Sequence, residues 1–232
     1  MRSSSSLRRD SRLLAPLAWA SAAASALVLA LVLGFLGHEA WPVLRNGGWI
    51  ALLTGSDWYP LDGDIGLLAM LWATLAAGTG AILLAGPLGL ACAVFLRFYA
   101  PSVLARPFQA MLGLMAGVPS VVYGLWGLTV LVPSIGAWQA PGASLLAGIL
   151  ILALMILPTV AMTAAAALAH VPPPLLEGAG ALGLSRMTTI LAIAVPAARG
   201  GIVGGVLLAL ARALGETMAI LMVAGNVVRM PS

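Results

Sequence analysis

The sequence predicts an all-α, polytopic membrane protein, and three observations carry this prediction. Of its 232 residues, 62% are hydrophobic and only 8% are charged. Several uncharged stretches reach the roughly 20 residues that cross a hydrocarbon core of about 30 Å. A backbone exposed to lipid must satisfy its own hydrogen bonds, so each stretch is expected to be helical. This composition excludes a soluble globular domain.

The uncharged runs define five candidate membrane spans, in chain order 14–37, 65–96, 108–133, 144–168 and 199–225. The first run is longer than the roughly 7 to 15 residues of a secretory signal core, so it is predicted to be a retained span after a tail over residues 1–13. The second would be about 48 Å long as a straight helix. We therefore expect it to tilt or project beyond the bilayer, with a kink at Gly86-Pro87.

The arginines predict the orientation of these spans, because cytoplasmic loops carry an excess of basic residues. Eight fall on one side of the predicted topology and two on the other; the eight are Arg2, Arg8, Arg9, Arg12, Arg97, Arg106, Arg186 and Arg199, and the two are Arg45 and Arg229. The N-terminus is therefore expected in the cytoplasm and residues 38–64 in the periplasm.

The tryptophans of that loop fit an interfacial belt better than a ligand cage, and its aspartates fit a solvated loop better than a cation site. The arginines are not clustered with aromatic residues, which excludes a nucleic-acid surface.

Residues 171–196, VPPPLLEGAGALGLSRMTTILAIAVP, differ from both a membrane span and an ordinary loop. The three prolines from Pro172 should stop the preceding helix, and Glu177 is expected in the first turn of a new one, where the helix dipole favours an anion. Gly183 permits a sharp turn into a second short helix from Ser185. This pattern predicts two short helices lying flat under the membrane, a surface suited to a partner protein or to lipid headgroups.

The spacing of Glu177-Gly178-Ala179, Gly183, Ile193 and Val195-Pro196 resembles the EAA signature of ABC-importer permeases. Gly178 and Val195 replace the Ala and Leu of that signature. Three further stretches are similar to permease subunits of bacterial high-affinity phosphate transporters, the PstC type: GPLGLACAVFLRFYAP (86–101), GVPSVVYGLWGLTVLVP (117–133) and LARALGETMAILMVAGN (210–226). Sulfate and molybdate permeases share the EAA and "ARALGE" elements, so these two motifs leave the oxyanion open.

The resemblance implies a helical bundle of the MetI-like permease type in the bacterial cytoplasmic (inner) membrane. Residues 65–226 would form the permease core, residues 227–232 a short periplasmic end, and a sixth helix that this chain lacks would follow. The implied partners are two copies of a cytoplasmic ATPase, a second related permease and a periplasmic phosphate-binding protein. Glu177, Ala179 and Gly183 would couple to the ATPase. ATP hydrolysis would occur on that separate subunit, so no catalytic residue or cofactor is expected here.

The motif RALGETMAI (212–220) sets two full charges, Arg212 and Glu216, within an apolar run. A charge at mid-membrane costs about 2.5 to 3.5 kcal/mol on insertion scales, and such residues usually serve a function. Four residues apart on one helix, the two are predicted to share a face. Together with Thr217 they are expected to line a substrate pathway, in which the guanidinium offers an oxyanion forked hydrogen bonds. Two alternatives are a structural pair that ties this helix to a neighbour and a charge relay in a self-contained ion-coupled carrier.

Other chemistry receives little support from the sequence. His38 and His170 fall on opposite sides of the predicted topology and lack ligand spacing, so no metal site is expected. The chain has no lysine and therefore no Walker A motif, and it has no G-x-S-x-G nucleophile elbow. Cys92 is interpreted as a packing residue. Gly201 and Gly205 are predicted to allow close helix packing.

Overall fold

The computed structural model describes residues 4–47, 49–56, 58–59 and 64–225. The predicted periplasmic end at 227–232 and the loop aspartates Asp57 and Asp62 lie outside these residues. The chain forms two units, Met1–Leu68 and Ala69–Ser232. Within the described part, three helices are long and apolar enough to cross a membrane, and the number rises to five if each of two bent helix pairs counts as one span.

The first unit is dominated by α1 (Ser4–Gly47), followed by α2 (Trp49–Thr54). The predicted first span lies inside α1, whose segment Ala15–Pro42 is long and apolar enough to cross a membrane. The helix extends beyond that span at both ends. Two short antiparallel strands, β1 (Trp58–Tyr59) and β2 (Asp64–Ile65), add a small β element to the predicted all-α fold.

The second predicted span corresponds to α3 (Leu68–Val94) and a first π-helical turn, Phe95–Tyr99. The predicted kink at Gly86-Pro87 does not break the helix, which continues through Pro87. The helix changes to π-helical hydrogen bonding further along, at Phe95–Tyr99, where the Ala100 N–H donates to the Phe95 carbonyl at 2.8 Å. Pro101 follows directly and cannot extend the helix, because it lacks an N–H.

The third predicted span, 108–133, is not one straight helix. It is divided into α4 (Ser102–Gly117) and a second piece made of α5 (Ser120–Trp126), a second π turn (Gly127–Leu131) and α6 (Val132–Gly136). The two pieces meet at 92°. Pro119 is the cause, since it holds the preceding Val118 in the extended region (φ −66°, ψ 129°). The Tyr123 hydroxyl donates to the Met115 carbonyl across this break at 2.8 Å, which satisfies a carbonyl at the end of α4.

The fourth span, α7 (Leu145–Ala169), is the central helix of the second unit and matches the predicted 144–168 closely. The Ser144 hydroxyl accepts a hydrogen bond from the Ala147 N–H and so caps the start of the helix. α7 packs against α4, α5 and the two C-terminal helices, and it supplies most of the fully buried large side chains. These are Ile151, Leu152, Met155, Ile156, Pro158, Val160 and Leu168.

The segment 171–196 forms the predicted pair of short helices. It consists of α8 (Pro173–Ala181), then α9 (Arg186–Thr188), a third π turn (Thr189–Ala194) and α10 (Val195–Ala197). Ser185 caps α9 by accepting the Thr188 N–H at 3.2 Å. The predicted place of Glu177 in the first turn of α8 is wrong, because the helix already begins at Pro173. Proline is well tolerated at the first positions of a helix, so the proline run starts α8 as well as ending α7.

The fifth predicted span, 199–225, is also divided. α11 (Arg199–Leu214) ends at Gly215, and α12 (Met218–Ala224) begins after Thr217. The prediction that Arg212 and Glu216 share one face of a continuous helix is therefore wrong. Glycine disfavours the helical state, and the Gly215 N–H closes α11 by donating to the Ala211 carbonyl at 3.1 Å.

The predicted close packing at Gly201 and Gly205 is confirmed. A Cβ atom at Gly201 would lie 2.6 Å from the Ala167 Cβ, and one at Gly205 would lie 2.7 Å from the Thr163 Cβ. The two glycines therefore let α11 approach α7 more closely than any larger residue would allow. Gly204, one position before Gly205, faces open space in this chain.

Gly205→Val is expected to destabilise the subunit by about 1–3 kcal/mol, the usual range for overpacking a core. The matched control is Gly204→Val, which changes the same residue type on the same helix without an atom within 4 Å of the new Cβ. Heating of the detergent-solubilised subunit, followed by size-exclusion chromatography, measures the difference. Equal heat sensitivity of the two variants would contradict the packing role of Gly205.

Candidate functional site

The predicted pathway residues lie where the fifth span is broken. Arg212 belongs to the last turn of α11, whereas Glu216 and Thr217 form the non-helical link to α12. The three residues are thus close along the chain but belong to different local structures. A broken helix exposes backbone groups and directs side chains away from the helix surface, and such breaks in membrane helices occur where they line a cavity or are buried in protein.

Glu216 is half-buried and stabilises the start of α12. Its Oε1 atom accepts the Ala219 N–H at 3.2 Å. A carboxylate at a helix N-terminus satisfies a free N–H group and interacts favourably with the helix dipole. Glu216 and Arg212 form no ion pair within 4.0 Å, so within this chain the carboxylate is compensated by the helix and not by the arginine.

Arg212 has an exposed side chain with no hydrogen-bond acceptor and no carboxylate partner among the residues that the structure describes. It belongs to the last turn of α11 and therefore lies directly before the break at Gly215. An arginine side chain stays protonated in proteins. Because an uncompensated charge is unstable in lipid, this guanidinium must face water or another chain.

The two helix breaks lie at the same end of a packed helix pair. A Cβ at Gly124 would lie 2.8 Å from the Met222 Sδ and 3.0 Å from the Ala219 Cα, and one at Gly127 would lie 2.6 Å from the Val223 Cγ1. The earlier glycine, Gly124, contacts the earlier residues of α12, and the later one, Gly127, contacts the later residue Val223. The two helices therefore run parallel. Their N-terminal ends, each directly after a break, are neighbours.

A cavity of about 330 Å³ opens between α3, α7 and the second break. Glu216 and Thr217 line it together with Thr74 and apolar residues, and its size falls in the range of about 300–1,000 Å³ typical of ligand pockets. Arg212 is not among the lining residues. The structure thus brings Glu216 and Thr217 to one cavity and places Arg212 outside it, on the surface of the chain.

Sequence reasoning missed Tyr123, which connects the two breaks. Its hydroxyl bridges α4 to α5 through Met115, and its ring packs in a core cluster with Ala219 and Val223 of α12. The helix break before Tyr123 could have been predicted, because Pro119 lies in the middle of an apolar run and disfavours the helical state of the residue before it. The contact between Tyr123 and α12 spans about a hundred residues of sequence and carries no local pattern.

The predicted coupling residues have different environments. Glu177 is exposed, Ala179 is buried, and Gly183 has a positive φ of 71°. The Gly183 N–H donates to the Gly180 carbonyl at 3.0 Å and the Leu184 N–H to the Ala179 carbonyl at 3.1 Å. These bonds close α8 with a left-handed glycine, as in common helix C-terminal caps. Gly183 and Ala179 therefore shape the turn, and Glu177 lies on the accessible surface.

An apolar side chain is presented at the tip of this segment. Leu182 is 81% exposed at the turn that joins the two short helices. The neighbouring Leu184 is also exposed, so the turn presents two apolar side chains to its surroundings. The segment thus offers a rigid, closed turn with an accessible charge and an accessible apolar side chain.

Comparison with known proteins identifies the family. Residues 85–232 match the binding-protein-dependent transport system inner membrane component family. The chain is 41% identical over 208 residues to the probable ABC transporter permease protein YqgH of Bacillus subtilis, covering 88% of this chain and 67% of the relative. It is 37% identical over 228 residues to the phosphate transport system permease protein PstC of Mesorhizobium japonicum, covering 88% and 69%.

A similar relation holds for the phosphate transport system permease protein PstC 2 of Mycobacterium tuberculosis, which is 34% identical over 235 residues, with 90% of this chain and 72% of the relative covered. Among solved structures, the chain resembles the MetNI methionine ABC transporter in an inward-facing conformation. The TM-score is 0.53 at 22% identity, covering 65% of this chain and 68% of that one. This likeness confirms the MetI-like fold. The chain belongs to the family of binding-protein-dependent transport system inner membrane components and is a multi-pass permease subunit of an ABC importer, not an enzyme.

Proposed function

We propose that this subunit carries inorganic phosphate across the bacterial cytoplasmic membrane, driven by ATP hydrolysis on a separate subunit. The observation that carries the proposal is the exposed guanidinium of Arg212, which has no partner in the described chain and lies directly before the break between α11 and α12. The similarity to phosphate transport permeases supports the same substrate.

Arginine suits an oxyanion that must bind and then leave. Its planar group donates two parallel hydrogen bonds to two oxygens of one ion, and it keeps its charge at any physiological pH. Because Glu216 is compensated by the start of α12, its carboxylate does not neutralise the arginine. It adds negative charge nearby, which limits how tightly an anion is held, and transport requires binding weak enough to permit release.

The position of Arg212 supports a pathway that two permeases share. The side chain is exposed on the surface of this chain, and the cavity lined by Glu216 and Thr217 does not include it. A second related permease placed against this surface would exclude lipid from the arginine and complete an aqueous route. We extend the proposal to two cytoplasmic ATPase copies and a periplasmic phosphate-binding protein, with the N-terminus of this chain in the cytoplasm as the arginine bias indicates.

Coupling to the ATPase is assigned to the turn around Gly183. Its left-handed backbone holds α8 in place, while Glu177 and Leu182 remain accessible. A rigid projection can transmit motion from one subunit to another because it moves as a body. In this proposal Glu177 contacts the ATPase, and Ala179 and Gly183 maintain the shape of the projection.

Uptake of labelled phosphate tests the substrate. The complete transporter, expressed in a strain without other phosphate importers, is expected to take up phosphate only when its ATPase and binding protein are present. Excess unlabelled phosphate should suppress this uptake, whereas equal concentrations of sulfate or molybdate should not. Suppression by sulfate or molybdate would reassign the oxyanion, and uptake without the ATPase would favour a self-contained ion-coupled carrier.

A further inference from the structure

A second cavity lies on the face of the molecule that carries the short helices, away from the pathway residues. It has a volume of about 410 Å³ and separates α3 with its π turn from α9 and the third π turn. Leu90, Val94 and Phe95 form one wall, and Met187, Ile190 and Leu191 form the other. Of the described residues that line it, only Tyr99 carries a polar group. We call this cavity the apolar groove.

The groove has one charged end. Tyr99 lines it, and the Arg186 guanidinium lies over the Tyr99 ring, 4.6 Å from the ring centroid. Arg186 forms no ion pair or hydrogen bond with the part of the chain that the structure describes. Stacking on a ring leaves the N–H groups at the edge of the guanidinium free for an anion. A cation with unused donors therefore stands at the rim of an apolar cavity.

The length of the groove matches one leaflet of a bilayer. Along α3 and its π turn it extends from Pro87 to Tyr99. At a rise of about 1.5 Å per residue this is about 18 Å, and half of a hydrocarbon core is about 15 Å. The charged end belongs to the side on which the arginine bias places the cytoplasm. The other end reaches towards the middle of the membrane.

We propose that the apolar groove binds one anionic phospholipid of the cytoplasmic leaflet. An acyl chain lies between Leu90 and Leu191, and the lipid phosphate accepts hydrogen bonds from Arg186. Two features together specify this occupant: an unpaired cation and an apolar wall about as long as one leaflet. A free oxyanion would leave the apolar wall without a contact, and a hydrocarbon would leave the cation without one. Basic pockets between membrane helices on the cytoplasmic side are known to suit such headgroups.

The test measures lipid retained by the complete transporter. The complex is purified in detergent, stripped of lipid, incubated with phosphatidylglycerol and examined by native mass spectrometry. One phosphatidylglycerol is expected per copy of this subunit, whereas diacylglycerol with the same acyl chains should be lost. Arg186→Gln should weaken retention about tenfold, as expected for one charged hydrogen-bonding group, and Arg186→Lys should weaken it less.

Two further variants separate lipid binding from general damage. Ala91→Trp fills the groove and keeps Arg186, so it is expected to abolish lipid retention. This variant still tests lipid binding if the Arg186 variants fail to assemble. Arg106→Gln removes an exposed arginine of α4 and should retain lipid as the unchanged protein does. Equal retention by Ala91→Trp, or equal retention of diacylglycerol and phosphatidylglycerol, overturns the proposal. A crosslinking experiment with a photo-reactive residue at position 191 would also overturn the proposal if that residue crosslinks to another subunit and not to lipid.

Discussion

Replacing Arg212 with Gln is expected to reduce phosphate uptake at least about a hundredfold while the transporter still assembles. The variant removes the permanent charge and the two parallel donors, and each charge-assisted hydrogen bond contributes about 1.5–3 kcal/mol. Assembly should survive, because Arg212 makes no hydrogen bond or ion pair with the described residues of its own chain. The measurement is labelled-phosphate uptake at matched membrane abundance, with co-purification of all subunits as the check on assembly.

Two companion variants sharpen this result. Arg212→Lys should restore only part of the uptake, because the ammonium keeps the charge and loses the planar fork. Arg199→Gln removes an arginine at the opposite end of the same helix and should leave uptake near normal. Near-normal uptake by Arg212→Gln would refute the pathway role and leave a structural role between subunits as the explanation.

Replacing Gly183 with Val is expected to prevent stable association with the ATPase and to abolish uptake. The reason is the backbone, since φ at Gly183 is 71° and no atom lies within 4 Å of the position that a Cβ would occupy. A β-branched residue strains this conformation by at least about 1–2 kcal/mol, so the turn would relax and the projection would change shape. Co-purification with the ATPase measures the effect, together with uptake.

Asn is the matched control at the same position. It tolerates the left-handed region far better than valine does, so Gly183→Asn should retain most of the coupling. Glu177→Lys reverses an exposed charge without altering the turn and is expected to weaken ATPase binding by a separate route. Both Gly183→Val and Glu177→Lys should insert into the membrane normally. Unchanged co-purification and uptake in these two variants would show that the segment does not bind the ATPase.

Hydropathy predicted the location of the apolar segments well and their continuity poorly. The boundaries of α7 differ from the prediction by one residue at each end, because a dense, uncharged apolar run reflects a buried helix directly, and this helix continues through Pro158. The break at Val118-Pro119 lies inside an uncharged apolar run, and the break at Gly215-Thr217 lies inside a run whose only internal charges are Arg212 and Glu216. A hydropathy average responds to side chains, whereas these breaks arise from the backbone properties of proline and glycine.

The candidate site was predictable in its residues and not in its geometry. Arg212 and Glu216 could be selected because charges are rare in lipid-facing sequence. Their separation by a helix end depends on Gly215, which is only weakly unfavourable within a helix, and on the carboxylate that caps α12. The packing of Tyr123 against Ala219 and Val223 depends on the contact of α5 with α12, a tertiary relation that no local pattern encodes.

The glycine contacts between α5 and α12 have a mechanical consequence. Gly124 and Gly127 leave no space against Met222, Ala219 and Val223, so the two helices cannot slide past each other or rotate separately. Each is joined to the rest of its span by a non-helical break. A tilt of one must therefore carry the other, and both breaks change angle together. If Arg212 binds the anion as proposed, a single rigid-body rotation of α5 and α12 would change the distance between its guanidinium and both helices at once.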